Sequence, residues 1–340
     1  MAKDIGIDLG ASRIQIFVRG KGVVIDEPAI TALDKSTGEV IQIGKDASIL
    51  AERTPGNVDL VYPLRNTAIN RYETMLKLFR HYFSLIKVPR RPRVLLSIPC
   101  GISEAEERVY IGSAVQAGAR SVYLIDKAAA AAVGADIDID LPQGNLVVDI
   151  GAASTELAVL SLGISVLSDS SPICGISFDE TIMRYIQDEY GIIITPEDAE
   201  ELKKRIGCLS EELTANREMD VTGITISEGL PITLTITAEE LVPVLREVAY
   251  DIADVILDLA DRIPAELAPD IDAGGITLTG GGCMMPGIEE LIAEAVGLPV
   301  RIADNAPSCV ILGVGKYLER LDNIREGLIN LSRPSQDYAN

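Results

Sequence analysis

Short runs rich in Ile, Val and Leu recur along the chain at 4–9, 14–18, 93–98, 120–125, 145–150, 156–160, 163–168, 276–279 and 299–302. Their length and β-branched content predict strands. Elsewhere apolar residues return every three or four positions, at about 68–86, 103–117, 127–135, 177–190, 196–207, 238–262, 286–296 and 307–326, which is the period of a helix with one packed face. Strands interleaved with helices predict an α/β protein. Two turn-rich breaks interrupt the pattern, "TPGN" (54–57) and "LPQGN" (141–145), and the second marks the expected boundary between two lobes. The polar segment "SRPSQDYAN" (332–340) predicts a disordered tail.

Two of the strand runs belong to one repeated phrase. Residues 3–17 read "KDIGIDLGASRIQIF" and residues 145–159 read "NLVVDIGAASTELAV". Each predicts a strand ending on Asp, a tight turn of Gly and small residues, and a second strand. Successive backbone N–H groups in such a turn form a nest suited to phosphate, and a glycine there lets the anion approach. The aspartates, Asp8 and Asp149, cannot bind phosphate directly but can hold Mg²⁺ through water. One copy alone would favour an ordinary β-hairpin. A third glycine element favours the ligand reading: "ITLTGGGCMMPGIEEL" (276–291) is a strand, three glycines and a helix, where backbone can pass close to a base or an α-phosphate.

Composition narrows the picture. A chain of 340 residues is long for a single core, so two or more lobes are expected. Aromatics are few and Trp is absent, so the core must be aliphatic. The net charge of −21 argues against nucleic acid as a partner, because that binding needs a basic face. No run approaches the roughly 18 apolar residues of a membrane span. A strand pattern starting almost at Met1 does not read as a signal peptide. Cys100, Cys174, Cys208, Cys283 and Cys309 are scattered and predict reduced thiols in a cytoplasmic protein; with one histidine, His81, and no paired cysteines, a zinc site is not expected.

The three glycine elements, in this order, resemble the actin-like ATPase superfamily, and within it the chain is most similar to the bacterial actin MreB family. The resemblance runs from Asp4 to about Leu321. It includes "GKGVVIDEPAITALDKSTGEV" (20–40), "RTPGN" (53–57), "RPRVLLSIP" (91–99), "GISEAEER" (101–108), "QAGARSVYLI" (116–125), "VVDIG" (147–151), "STELAVLSLG" (154–163), "TLTGGG" (277–282) and "GVGKYL" (313–318). It implies an α/β, actin-like (ribonuclease-H-like) fold of two lobes, each with a large and a small subdomain, around a nucleotide cleft. The implied division is 1–31, 66–140 and 312–331 (IA), 32–65 (IB), 141–180 and 241–311 (IIA) and 181–240 (IIB).

The resemblance implies ATP or ADP with Mg²⁺ as ligand. The nucleotide would be held by Asp8, Gly10, Ala11, Ser12 and Arg13 at the first turn. Asp149, Gly151, Ala152, Ala153, Ser154 and Thr155 would form the second, and Gly280, Gly281, Gly282 and Cys283 would lie at the base and ribose. Glu200 and Lys203 either approach the adenosine or belong to a solvated helix face. The implied partner is the chain itself, in a head-to-tail filament, with paralogous bacterial actins as further candidates. The competing class is a non-filament ATPase, chaperone-like or a small-molecule kinase.

The departures from the family fall on the chemistry. Where the family reads "DIGGGTTE", this chain reads "DIGAASTE", so Ala152 and Ala153 replace glycines. If either position required positive φ, the cost would be roughly 1–2 kcal/mol. Arg13 is also new, and either pairs with a phosphate or points to solvent. In "LIDKAAAAAVGA" (124–135) Lys127 stands where the family carries the glutamate that orients the attacking water. A protonated lysine only donates hydrogen bonds and cannot take the water's proton. Loss of a general base typically costs about 10²–10⁴ in rate. Asp126 is one residue away, about 100° round a helix, and is the alternative base. The alanine run reads as a close-packed helix. Lys87, Arg90, Arg91 and Arg93, in the basic stretch "KVPRRPRV" (87–94), either touch anionic lipid at the inner face of the membrane or form a solvated loop.

Overall fold

The structure, a computed structural model, describes residues 4–54, 56–64, 71–86, 91–321 and 329–330. The expected tail at 332–340, and Lys87 and Arg90 of the basic stretch, lie outside the described residues. The chain divides into two compact units: residues 1–142, 160–166 and 308–340 form the first, and 143–159 and 167–307 the second.

In chain order the first unit runs β1 (Ile5–Leu9), β2 (Arg13–Val18), β3 (Gly22–Pro28), β4 (Thr31–Asp34), β5 (Val40–Ile43), α1 (Lys45–Arg53), β6 (Val58–Val61), α2 (Arg71–Leu85), β7 (Arg93–Ile98), α3 (Glu104–Gln116), β8 (Ser121–Asp126) and α4 (Lys127–Gly134). The chain continues with β9 (Asn145–Ile150), β10 (Thr155–Ser161), β11 (Ile164–Ser171), α5 (Gly175–Tyr190), β12 (Ile192–Ile193), α6 (Pro196–Arg205), β13 (Glu218–Thr225), β14 (Pro231–Thr237), α7 (Ala238–Ala260), α8 (Ala268–Gly274), β15 (Ile276–Thr279), α9 (Ile288–Val296) and β16 (Val300–Ile302). It closes with α10 (Cys309–Arg320) and β17 (Ile329–Asn330), which belong to the first unit.

The two large sheets share one topology. In the first, the order is β17-β8-β7-β1-β2-β3; in the second it is β11-β10-β9-β15-β16. Counted from each repeated phrase, both read third, second, first, fourth, fifth. In each, the first strand pairs in parallel with the fourth: β1 with β7, and β9 with β15. Strands covered on both faces need continuous apolar runs, and β7, β9 and β15 are buried along nearly their whole length. Each unit also has a small three-stranded sheet, β5-β4-β6 in the first and β12-β13-β14 in the second. None of the strands of these small sheets is among the runs predicted from hydropathy. They are short or half-exposed, so burial does not impose a long apolar signature on them.

The cores are aliphatic, as the composition required. One cluster gathers Ile5, Ile7, Ile14, Ile16, Val94, Leu96 and Leu124 around Phe79 and Tyr82. The other packs Leu146, Val148, Leu157 and Val159 against Phe178, Ile182, Leu241, Leu245 and Ile252. The alanine run does form a close-packed helix: Ala128 through Ala132 are all buried in α4. A Cβ on Gly134 would lie 1.8 Å from the Cys309 carbonyl oxygen, so α4 and α10 approach at backbone distance. The Lys316 ammonium donates to the Val133 carbonyl at the end of α4, at 2.7 Å. This packing fixes the head of α4, where Lys127 sits. All five cysteines are buried and none forms a disulfide. Among the described residues, no helix is long and apolar enough to cross a membrane.

Candidate functional site

The repeated phrase folds twice into the same local construction. In the first unit β1 ends at Asp8-Leu9, and the chain reverses over Gly10, Ala11 and Ser12 into β2. The Gly10 N–H donates to the Arg13 carbonyl at 3.0 Å. In the second unit the Gly151 N–H donates to the Ser154 carbonyl at 2.9 Å. A Cβ on Gly10 would stand 2.6 Å from the carbonyl oxygen it bonds, and one on Gly151 would stand 2.8 Å from its own. Closure of the turn therefore requires these two glycines, whether or not an anion approaches. Neither Ala152 nor Ala153 has positive φ, so the second turn carries no left-handed strain.

The two aspartates are anchored alike. Ser97 Oγ donates to Asp8 Oδ1 at 2.5 Å, and Thr279 Oγ1 donates to Asp149 Oδ1 at 2.8 Å. Ser97 and Thr279 are the register partners of those aspartates on β7 and β15. The second turn is further held by the head of α5. There the Gly175 N–H donates to the Gly151 carbonyl and the Ile176 N–H to the Ala152 carbonyl, both at 2.9 Å. In a trans peptide the N–H points opposite to the C=O. The N–H groups of Ala152 and Ala153 therefore face away from α5, as an anion-binding nest requires.

Beside the first turn, Lys127 opens α4 immediately after Asp126, which ends β8. Its ammonium lies 3.4 Å from Asp8 Oδ1, and both side chains are largely buried, 15% and 13% exposed. The lysine thus stands against the carboxylate that the sequence marked as a metal anchor.

The three glycines of 280–282 divide their roles. Gly280 has φ of +87°, and a Cβ there would fall 2.3 Å from the Ile150 carbonyl oxygen. A Cβ on Gly282 would lie 2.3 Å from Cγ2 of Ile150. These two pack β15 and its turn against the strand bearing Asp149. Gly281 is exposed, lies in the right-handed helical region, and would have nothing within 4 Å of a Cβ. Cys283 is fully buried with its Sγ toward the Gly280 carbonyl at 3.0 Å, so its thiol belongs to the packing of this turn.

Several side chains depart from their expected surroundings. Arg13 neither faces solvent alone nor projects from the turn; its guanidinium forks onto Asp26 across the β2–β3 pair. Thr155 is buried because β10 is covered on both faces, and its hydroxyl donates to the Ile173 carbonyl at 2.7 Å. The Ser154 hydroxyl donates to Glu156 at 2.5 Å. These two hydroxyls, expected at the phosphate, are hydrogen-bonded within the chain. Lys203 is only 16% exposed, paired with Asp179 at 2.7 Å and donating to the Gly175 carbonyl at 2.8 Å, so it is not part of a solvated face. Glu200, also mostly buried, pairs with Lys204 at 2.7 Å. In the basic stretch, Arg91 is exposed, whereas Arg93 is held by Asp4 at 2.6–2.7 Å and is not presented to a surface. Hydropathy and motif spacing missed Ser97, Thr279 and the head of α5. Their only sequence signal is a hydroxyl at the end of an apolar run, which a single chain shares with many unrelated strands.

Known proteins resemble this chain along nearly its whole length. The family model described as MreB/Mbl protein matches residues 2–326. The cell shape-determining protein Mbl of Bacillus subtilis is 36% identical over 326 residues, covering 95% of this chain and 98% of that protein. The cell shape-determining protein MreB of Escherichia coli K12 is 36% identical over 331 residues, with 94% of each chain covered. Among solved structures, MreB5 of Spiroplasma citri bound to AMPPNP superposes with a TM-score of 0.88 at 36% identity, covering 95% of this chain and 97% of that one. The same protein bound to ADP gives 0.87. At 17% identity, a MamK double helical filament subunit shares the fold, with a TM-score of 0.77. The chain has the actin-like fold and belongs to the MreB/Mbl family.

Proposed function

We propose that this protein binds ATP or ADP at its two Asp–Gly turns and assembles into filaments, with very slow or absent hydrolysis. The observation that carries nucleotide binding is the duplicated turn, each copy closed by a Gly N–H and backed by an aspartate that a hydroxyl holds in register. Nests of this kind bind phosphate through backbone N–H groups at little entropic cost. The relative crystallised with AMPPNP and with ADP supports the same ligand class. Gly281 offers the open backbone against which the nucleoside would rest.

Among the described residues no group of three or more His, Cys, Asp or Glu side chains could hold a metal ion. Mg²⁺, if it accompanies the nucleotide, would therefore be carried mostly by phosphate oxygens and water. Asp149 would accept hydrogen bonds from those waters, and the ion would neutralise phosphate charge. Lys127 supplies a positive charge at the head of α4, in place of a carboxylate that takes a proton from water. The polymer state would then follow binding rather than a turnover cycle. Head-to-tail assembly fits a heterologous contact that repeats without closing.

The test is calorimetric titration with ATP and ADP, followed by high-speed pelleting and electron microscopy. Micromolar to millimolar binding with nucleotide-sensitive filaments supports the proposal. Failure to bind either nucleotide at millimolar concentration refutes it. Monomers with sugar-dependent ATP turnover would instead assign the chain to a kinase class.

A further inference from the structure

Each unit carries one aspartate at the start of its turn, and Asp8 is ion-paired with the lysine at the head of α4, a helix whose alanine run is buried. The Lys127 ammonium, 3.4 Å away, and the Ser97 hydroxyl, 2.5 Å away, both address the same oxygen, Asp8 Oδ1. A hydrated divalent cation at this position would need that carboxylate to accept from its water ligands, and it would have to settle beside a fixed ammonium. Like charges that close in a largely buried setting repel strongly. The donor set around Asp8 therefore does not fit a Mg²⁺ ion held through water, contrary to the expectation from the sequence.

We infer that Lys127 is a built-in counter-cation of the phosphate site, so that this protein binds its nucleotide with little dependence on divalent metal. The inference rests on the nucleotide reading above and names how that site is regulated. The role of the lysine follows from its position: it cancels the charge of Asp8, which would otherwise repel an entering polyphosphate. An ammonium carries three donors and no acceptor, a set suited to bridging a carboxylate and a phosphate. The placement is rigid, because α4 is locked by its alanine face and by the close approach of Gly134 to α10, and both partners of the pair lie in the first unit.

The experiment is a titration of the full chain with a fluorescent ATP analogue, once with Mg²⁺ and once with excess EDTA. It is run for the unmodified protein, Lys127→Gln, Lys127→Arg and the double variant Asp8→Asn with Lys127→Gln. The unmodified protein and Lys127→Arg are expected to lose less than about threefold in affinity on removing Mg²⁺, because the fixed cation remains. Lys127→Gln should lose about tenfold or more in EDTA and recover with Mg²⁺, since Asp8 is then uncompensated. The double variant should regain much of the metal independence, because the repelling charge is gone. A tenfold or larger loss in EDTA by the unmodified protein overturns the inference while leaving the nucleotide reading intact. Equal metal dependence of the unmodified protein and Lys127→Gln also overturns it. No binding by the unmodified protein in either buffer refutes the nucleotide reading and this inference with it. The comparison of the two buffers for the unmodified chain decides the matter even if a variant does not fold.

Discussion

Gly281→Ala separates binding from folding more cleanly than any other change at the site. Gly281 has φ of −72° and ψ of −26°, a right-handed conformation that alanine adopts without strain, and its new methyl would meet nothing within 4 Å. By reducing the freedom of the unfolded chain, the substitution should stabilise the protein by about 0.4–1 kcal/mol. Its neighbour gives the contrast. At Gly280 the backbone is left-handed and the methyl would enter the Ile150 carbonyl at 2.3 Å. The conformational cost is about 1–2 kcal/mol and the overpacking adds about 1–3 kcal/mol, so Gly280→Ala should destabilise by about 2–5 kcal/mol. If a nucleoside rests on the open backbone of Gly281, a methyl there must push it away, and a tenfold loss of affinity corresponds to about 1.4 kcal/mol. Urea unfolding measures the first effect and nucleotide titration the second. The expected result for Gly281→Ala is an unchanged or raised unfolding midpoint with at least a tenfold weaker nucleotide complex. Undiminished affinity in a folded Gly281→Ala protein would refute the assignment of this turn to the ligand.

Lys127→Glu should raise phosphate release at saturating ATP by about 10²-fold, and no rise would show that the missing base is not what limits hydrolysis. Asp126→Ala should abolish any residual turnover if Asp126 has taken over the role, which the same assay reads. Replacing Ala152 and Ala153 by Gly relieves no left-handed strain, because neither residue has positive φ. It should lower stability by roughly 0.5–1 kcal/mol per site; a gain in nucleotide affinity would then be due to relief of crowding alone. Asp4 is buried, which by itself would raise its pKa, but hydrogen bonds from Arg93 and Arg19 outweigh burial and hold it below the usual 3.8. Its contribution to stability is therefore complete above about pH 4, and is lost as pH falls further through the depressed value. Arg93→Ala should cost about 3 kcal/mol, the lower end for breaking a buried pair, because Arg19 remains. It should also flatten the loss of stability between pH 4 and pH 2 in urea titrations.

The pattern of apolar runs was sufficient to locate most strands of both large sheets and most of the longer helices, because burial on both faces forces continuous Ile, Val and Leu; it missed the half-exposed edge strand β3, the two-residue β17 and the short α8. It also located the two turns, since only Gly and small residues can close so tight a reversal. The small sheets carried no such signature; β13 does alternate exposed and covered positions, but Gly223 and Thr225 sit on its covered face and Ile224 on its exposed one, so hydropathy does not display the alternation, and tertiary packing decided it. At the site, the sequence determined which residue types were present, and the folded chain decided what each one touches. Thr155 and Ser154 look like phosphate ligands in one dimension, yet β10 is covered on both faces, which places the first in the core, and the hydroxyl of the second donates to Glu156. Arg13 is drawn to Asp26 by strand pairing that joins positions 13 residues apart. Ser97 and Thr279 became visible as anchors only through parallel register, which couples residues 89 and 130 positions distant from their aspartates. Lys127 was legible as a departure from the family, but its place against Asp8 depends on how α4 packs on α10 and on β8 lying beside β7. Local chemistry is written in neighbouring residues, whereas contacts across the sheet are set by register and helix packing, and those arise only when the whole chain closes on itself.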